Sequence, residues 1–151
     1  MKTPACPAAI VPQPSADFDA RVLFEAARGA STKAYAPYSR FHVGAAVLAD
    51  DGRIFTAANI ENASYGLTSC AERNAVFAAV FAGVRAIVAV AIHTPTGEAV
   101  SPCGACRQVI YEFGSTATVI SCCDGTSERR WSIDELLPGA FGPRDLRDPT
   151  A

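Results

Sequence analysis

The chain lacks a long apolar run, a basic excess and a high charge density, and each absence removes a class of function. Half of its 151 residues are hydrophobic and 19% are charged, yet no run is long or uniformly apolar enough to span a bilayer. A soluble globular protein with no membrane partner is expected. The net charge is −2, and the one adjacent basic pair is Arg129-Arg130. That balance argues against strong binding to a phosphate backbone, so no nucleic-acid partner is expected. Met1 and Lys2 are followed by Pro4, Pro7, Pro12 and Pro14 where a secretory leader would have its apolar segment. We therefore expect no signal peptide and a cytoplasmic location. Six cysteines in such a chain point to metal binding or catalysis rather than to a disulfide scaffold.

What is present fits one domain, large enough to bury roughly 68–70% of its unfolded surface. Residues 1–15 are rich in Pro and Ala and read as a flexible tail carrying Cys6 as a surface thiol; residues 16–145 form the domain, and 146–151 a C-terminal tail. Ser15 or Asp17 can cap a helix running to about Ser31, with Phe18, Val22, Leu23, Ala26, Ala27 and Ala30 as its apolar stripe. Residues 41–49 and 53–58, separated by Asp50-Asp51-Gly52, predict a hairpin. Asn59-Ile60-Glu61-Asn62-Ala63-Ser64-Tyr65-Gly66 is too polar for a buried strand and predicts a loop. Thr68 or Ser69 can cap a second helix, 86–92 is a buried strand, and 103–113 is a third helix entered through Pro102. Strands at 116–122 and 128–132 and a short helix at 133–137 complete an α/β fold with a five-stranded mixed sheet and helices packed on it.

Two short segments concentrate the chemistry: Cys70-Ala71-Glu72, and about thirty residues later Pro102-Cys103-Gly104-Ala105-Cys106. Three converging thiolates can hold one Zn²⁺ and leave a fourth tetrahedral position for water, as in catalytic sites; structural sites normally close with four protein ligands. Cys103 and Cys106 are three apart on a helix and share a face. Helix N-termini favour the thiolate form. Three thiolates leave the inner shell negative, and Arg73 and Arg107 are candidates for donating to the sulfurs from outside it. Glu72 poses a geometric problem, because residues two apart on an ideal helix lie about 200° apart. The problem eases if Cys70 occupies a cap with non-helical dihedrals. Alone, Glu72 could be simple dipole chemistry and Cys-x-x-Cys a redox pair or a structural zinc knuckle.

Taken together the two segments resemble the zinc-dependent cytidine and deoxycytidylate deaminase superfamily. Further stretches are similar to its small-subunit, homotetrameric cytidine deaminases: Ala34-Tyr35-Ala36-Pro37-Tyr38-Ser39-Arg40-Phe41-His42-Val43-Gly44-Ala45-Ala46, the loop Asn59 to Gly66, Cys70-Ala71-Glu72-Arg73, Ser101 to Val109, and Glu135-Leu136-Leu137-Pro138-Gly139-Ala140-Phe141. The resemblance implies a three-layer sandwich and one Zn²⁺ per chain on Cys70, Cys103 and Cys106. It makes Glu72 the proton shuttle and a small nucleoside the substrate. Asn59 and Glu61 fall where the family binds the ribose 3′-hydroxyl, Phe41 where a ring packs on the base, and the Ala71 and Ser101 backbone where the base edge is read. Phe141 is implied to reach a neighbouring subunit's site in a homotetramer.

Ala57-Ala58 depart from the family's frequent Gly-Cys, and His42 and His93 stand at no ligand position. Cys122 and Cys123, adjacent on a strand, read as one core and one surface thiol. Deamination of a related small molecule such as blasticidin S, and a structural zinc-binding module, are the alternative readings.

Overall fold

A computed structural model describes residues 18–146. The segment 1–15 with Cys6, and residues 147–151 of the expected C-terminal tail, lie outside the described residues. The elements run α1 (Ala20–Ser31), β1 (Gly44–Ala49), β2 (Ile54–Ala58), a 3₁₀ turn (Tyr65–Leu67), α2 (Ala71–Phe81), β3 (Ile87–Thr94), α3 (Gly104–Phe113), β4 (Thr118–Cys123), β5 (Glu128–Ser132) and α4 (Ile133–Leu136). This is the expected order, and the sheet is five-stranded in the order β2-β1-β3-β4-β5. Strands β1 and β2 form the antiparallel hairpin, β1 pairs antiparallel with β3, and β4 pairs antiparallel with β5. The β3–β4 pair is parallel, with α3 as its crossover.

Helices cover both faces, so the central strands are buried on both sides. Leu23 and Ala27 of α1 pack on Ala46, Ala89, Ala91 and Ile120. On the other face Ala75, Val76 and Ala79 of α2 and Ile110 of α3 meet Val47, Val90, Ile92 and Val119. Small side chains at these contacts let helix and sheet approach closely. The limit is reached at Gly44, where a β-carbon would lie 1.9 Å from the Ala27 carbonyl oxygen and 2.4 Å from the Ser31 nitrogen. No helix among the described residues is long and apolar enough to cross a membrane.

Several boundaries differ from the sequence expectation for local reasons. Helix α1 is capped by Asp19, whose carboxylate accepts from the Arg21 N–H at 2.9 Å, and not by Ser15 or Asp17. Its buried face is Leu23, Ala27 and Ala30, while Val22, one position off that stripe, is 51% exposed. Strand β1 begins at Gly44 rather than at residue 41, because the Val43 N–H and Phe41 carbonyl are taken by the Asn59 side chain. The α2 cap is Cys70 and not Thr68 or Ser69: the Thr68 hydroxyl accepts from Asn62 N–H, and that of Ser69 bonds the Asn74 side chain. Cys122 and Cys123 are both buried, correcting the reading of one as a surface thiol. Burial pushes the Cys122 thiol up to about 11, and the Cys123 thiol donates to the Ser127 and Gly97 carbonyls.

The close approach at Gly44 gives a direct test of this packing. Gly44→Ala is expected to lower folding stability by about 3 kcal/mol, the upper part of the usual range for overpacking, read as a fall in the urea midpoint. An unchanged midpoint would mean that α1 does not sit against β1 in this way.

Candidate metal centre and active site

Helices α2 and α3 pack side by side with their N-termini together. Cys70 is the N-cap of α2 (φ −72°, ψ 153°) and Cys103 the N-cap of α3 (φ −67°, ψ 164°). Both are extended, so their side chains are not carried around the helix axis. Cys106, one turn into α3, is fully buried. The Cys70 and Cys103 sulfurs are 3.9 Å apart, those of Cys103 and Cys106 are 3.5 Å apart, and all three lie within 4.8 Å of one another. A tetrahedral zinc with Zn–S bonds of about 2.3 Å requires sulfur–sulfur edges of roughly 3.8 Å. The three soft donors therefore fit zinc in both chemistry and spacing.

The extended cap also resolves the geometry of Glu72. With Cys70 outside the helical phase, Glu72 on the first turn turns toward the same cluster. It is 5% exposed. Burial pushes its carboxyl above the usual range, and negative charge on Cys70 acts in the same direction. Cys70 itself is lowered to about 5, first by its contact with the Cys106 thiol and then by Arg73. Cys106 is pushed up, because that contact holds its proton and burial disfavours a second thiolate.

Of the two arginines, one reaches the sulfurs. Arg73 Nη2 donates to Cys70 Sγ at 3.7 Å and to the Thr68 carbonyl at 3.1 Å. Arg107 gives its donors to the Pro102 carbonyl (2.8 Å), the Leu136 carbonyl (2.8 Å) and the Ser101 hydroxyl (3.0 Å). It thus holds the loop leading into α3 and the end of α4 in place, instead of donating to the cluster as expected.

The remaining candidates sit on segments tied to these helices. Ile60 and Ser69 exchange both backbone hydrogen bonds at 2.9 Å, and Asn74 Nδ2 donates to the Ala58 carbonyl at 2.9 Å, so the 59–61 loop is fixed to the start of α2. On its other side Tyr35 N–H donates to Asn59 O (3.0 Å) and Glu61 N–H to Tyr35 O (2.8 Å). Asn59 is 7% exposed and its side chain bridges Val43 N–H and the Phe41 carbonyl, each at 2.8 Å. The Glu61 carboxylate accepts from the Ser39 hydroxyl, from Tyr38 N–H at 2.9 Å and from Ser39 N–H at 3.2 Å. These donors, the hydroxyl foremost, hold it below the usual carboxylate range. Both residues thus spend part of their capacity on the chain around Phe41, a use not foreseen from the sequence.

Phe41 is 38% exposed and Phe141 59% exposed. The Phe141 carbonyl accepts from Gln108 Nε2 at 2.8 Å, which ties that segment to α3. Ala71 is fully buried and Ser101 lies at the surface beside Pro102. A concavity of about 420 Å³ is lined by Ala58, Ile60, Glu61, Asn62, Ser69 and Asn74 among others. No cysteine borders it, so it flanks the metal centre instead of containing it. His93 is buried with Nε2 3.1 Å from Asp124, and neither it nor His42 joins the sulfur cluster. Asn74 and Ser39 make side-chain contacts to these segments that the sequence left unmarked. An asparagine one turn into a helix has low helix propensity and was the available signal for the first; Ser39 looked like any turn residue.

Residues 19–122 match the family model of the cytidine and deoxycytidylate deaminase zinc-binding region. The cytidine deaminase of Sporosarcina psychrophila is 48% identical over 130 residues, covering 85% of this chain and 95% of that protein. The cytidine deaminase of Halalkalibacterium halodurans is 48% identical over 132 residues, covering 86% and 99%. Among solved structures, the cytidine deaminase from Burkholderia pseudomallei superposes with a TM-score of 0.79 at 47% identity, covering 82% of this chain and 100% of that one. With more than half its length matched and its sulfur cluster inside the same fold, the chain belongs to the zinc-dependent cytidine and deoxycytidylate deaminase family.

Proposed function

We propose that this chain hydrolytically deaminates cytidine and 2′-deoxycytidine to uridine and 2′-deoxyuridine, releasing ammonia, as a cytoplasmic enzyme of pyrimidine salvage. The observation that carries the reading is a buried carboxylate, Glu72, whose electrostatic neighbours include Cys70 and Cys106 of the three sulfurs that converge at two helix starts. One zinc per chain on Cys70, Cys103 and Cys106 supplies Lewis-acid activation of water at neutral pH. Glu72 accepts the proton of the water that attacks C4 of the pyrimidine, protonates N3, and then delivers a proton to the departing amino group. Its burial suits this work, since a carboxyl shifted upward holds a proton more readily than an exposed one. Arg73 tempers the charge of the thiolate shell through Cys70.

The substrate is held by the laced segments. Phe41 packs on the base and the backbone of Ala71 and Ser101 reads its edge. Asn59 and Glu61 grip the ribose 3′-hydroxyl. A carboxylate offers about four acceptor positions, and three on Glu61 are taken by the Tyr38–Ser39 backbone and hydroxyl, which leaves one for a sugar. The single chain leaves large rings at the surface, including Phe41, Tyr65 and Phe141. A homotetramer in which Phe141 completes a neighbour's site accounts for them.

Glu72→Gln is expected to lower kcat by roughly 10²–10⁴-fold while metal analysis still finds one zinc per chain; loss of the zinc would assign Glu72 to the metal site instead of to proton transfer. Glu61→Gln should raise KM for cytidine about tenfold, the scale of one hydrogen bond to a charged group, with little change in kcat. A fall in kcat at constant KM would contradict a sugar contact. Phe141→Ala and Glu72→Gln subunits, each impaired alone, should recover activity when unfolded and refolded together, because a Glu72→Gln subunit lends its phenylalanine to an intact metal site. Strict additivity of the two separate activities would argue that each site is complete within one chain.

A further inference from the structure

The ring of Phe41 is not held by core packing. At 38% exposure it must be placed by its backbone, and both of its peptide groups are fixed by side chains. Its carbonyl accepts from Asn59 Nδ2 at 2.8 Å, and its N–H donates to the Ser39 hydroxyl at 3.0 Å. The same hydroxyl donates its own hydrogen bond to Glu61 Oε1. The other Glu61 oxygen accepts from the N–H groups of Tyr38 and Ser39, at 2.9 and 3.2 Å. Arg40, between Ser39 and Phe41, has φ 58°, in the left-handed region that few non-glycine residues visit. Its N–H closes a turn on the Ala36 carbonyl at 3.0 Å. That reversal brings the Phe41 N–H back over the Ser39 hydroxyl.

A serine accepting from the N–H two residues on is a common local turn. What a local turn does not require is the second bond, to a carboxylate 22 residues away. It makes Ser39 the side chain that touches both the Phe41 backbone and the Glu61 carboxylate. We propose that Ser39 is a positioning residue that couples the base-packing ring to the sugar-gripping carboxylate, so that nucleosides are selected over analogues lacking the 3′-hydroxyl. This inference rests on the deaminase reading above and adds to it a specificity-determining residue outside the metal centre. With the hydroxyl present, Ser39 aims Glu61 Oε1 while the two N–H groups occupy the other oxygen, which leaves one acceptor position on Oε1 for the sugar. Without it, the carboxylate keeps the two backbone N–H groups on one oxygen but Oε1 loses the donor that aims it, the Phe41 N–H turns to water, and the two contacts no longer form as a unit.

Steady-state kinetics of wild type, Ser39→Ala and Ser39→Thr on cytidine and on 3′-deoxycytidine test it. Ser39→Ala should shrink the ratio of kcat/KM for cytidine over 3′-deoxycytidine roughly tenfold, as expected for loss of a hydrogen bond to a charged group. The change should lie in KM for cytidine with kcat retained. Ser39→Thr keeps the hydroxyl on an exposed position and should restore most of the ratio. A purely structural role would lower kcat on both substrates alike and leave the ratio unchanged, and that result overturns the proposal, as does a Ser39→Ala enzyme indistinguishable from wild type. Wild type inert toward both nucleosides would instead strike down the deaminase reading, and this proposal with it.

Discussion

Two helix N-termini set against each other are the constraint on which the rest of this site depends. An α-helix leaves its first N–H groups unpaired and carries positive partial charge at that end. Two such ends side by side favour negative charge between them. Cys70 and Cys103 occupy both cap positions in extended conformation, and neither uses its side chain to cap its helix. The sulfurs are therefore free to meet Cys106 at separations that suit a tetrahedral metal. The same extended cap lets Glu72, two residues on, face the cluster as well. Shifting either helix start by one residue would turn a sulfur away from the common point.

The sheet supplies the rigidity this arrangement needs, and a set of backbone exchanges carries it outward. The 59–61 loop is bonded on one side to Ser69, next to Cys70, and on the other to Tyr35. Asn59 and Glu61 then extend side-chain bonds to Phe41, Val43, Tyr38 and Ser39. Single bonds of this kind contribute about 1 kcal/mol each and are not additive. Their effect is geometric: the sulfur cluster, the Asn59 and Glu61 side chains and the Phe41 ring are held in one frame. A residue can therefore be both scaffold and recognition element, and a substitution there is expected to disturb both.

Much of this was legible in the chain. A strand-like apolar run and the turn residues Asp50-Asp51-Gly52 marked the β1–β2 hairpin, a short apolar run marked β3, and the Cys-Ala-Glu and Pro-Cys-x-x-Cys segments marked the three-sulfur cluster. The geometric demand on Glu72 was also visible, and the dihedrals of Cys70 meet it. What was not legible depended on contacts distant in sequence. Asp19 caps α1 through its carboxylate on the Arg21 N–H, and no residue pattern distinguishes it from Asp17 in the sequence. Val22 sits on an apparent stripe yet is half-exposed, since the face of α1 that meets the sheet is centred on Leu23 and Ala27. Cys122 and Cys123 point to opposite faces, as strand geometry requires, but this strand is covered on both sides and both thiols are buried. Arg107 is adjacent to a ligand in sequence, while its guanidinium is drawn to carbonyls of the loop and of α4. Ser39 gains its meaning only when Glu61 folds back onto it.

The central claim is that three sulfurs from two helix starts hold one metal ion on which turnover depends. Its most direct test is a back-titration: the protein is stripped of metal with a chelator under conditions that preserve its far-ultraviolet circular dichroism, and zinc is returned stepwise while cytidine turnover is followed. Activity absent from the stripped protein, rising linearly and saturating at one zinc per chain, is the result this account predicts. Full turnover by the stripped protein, or saturation without any turnover, would contradict it.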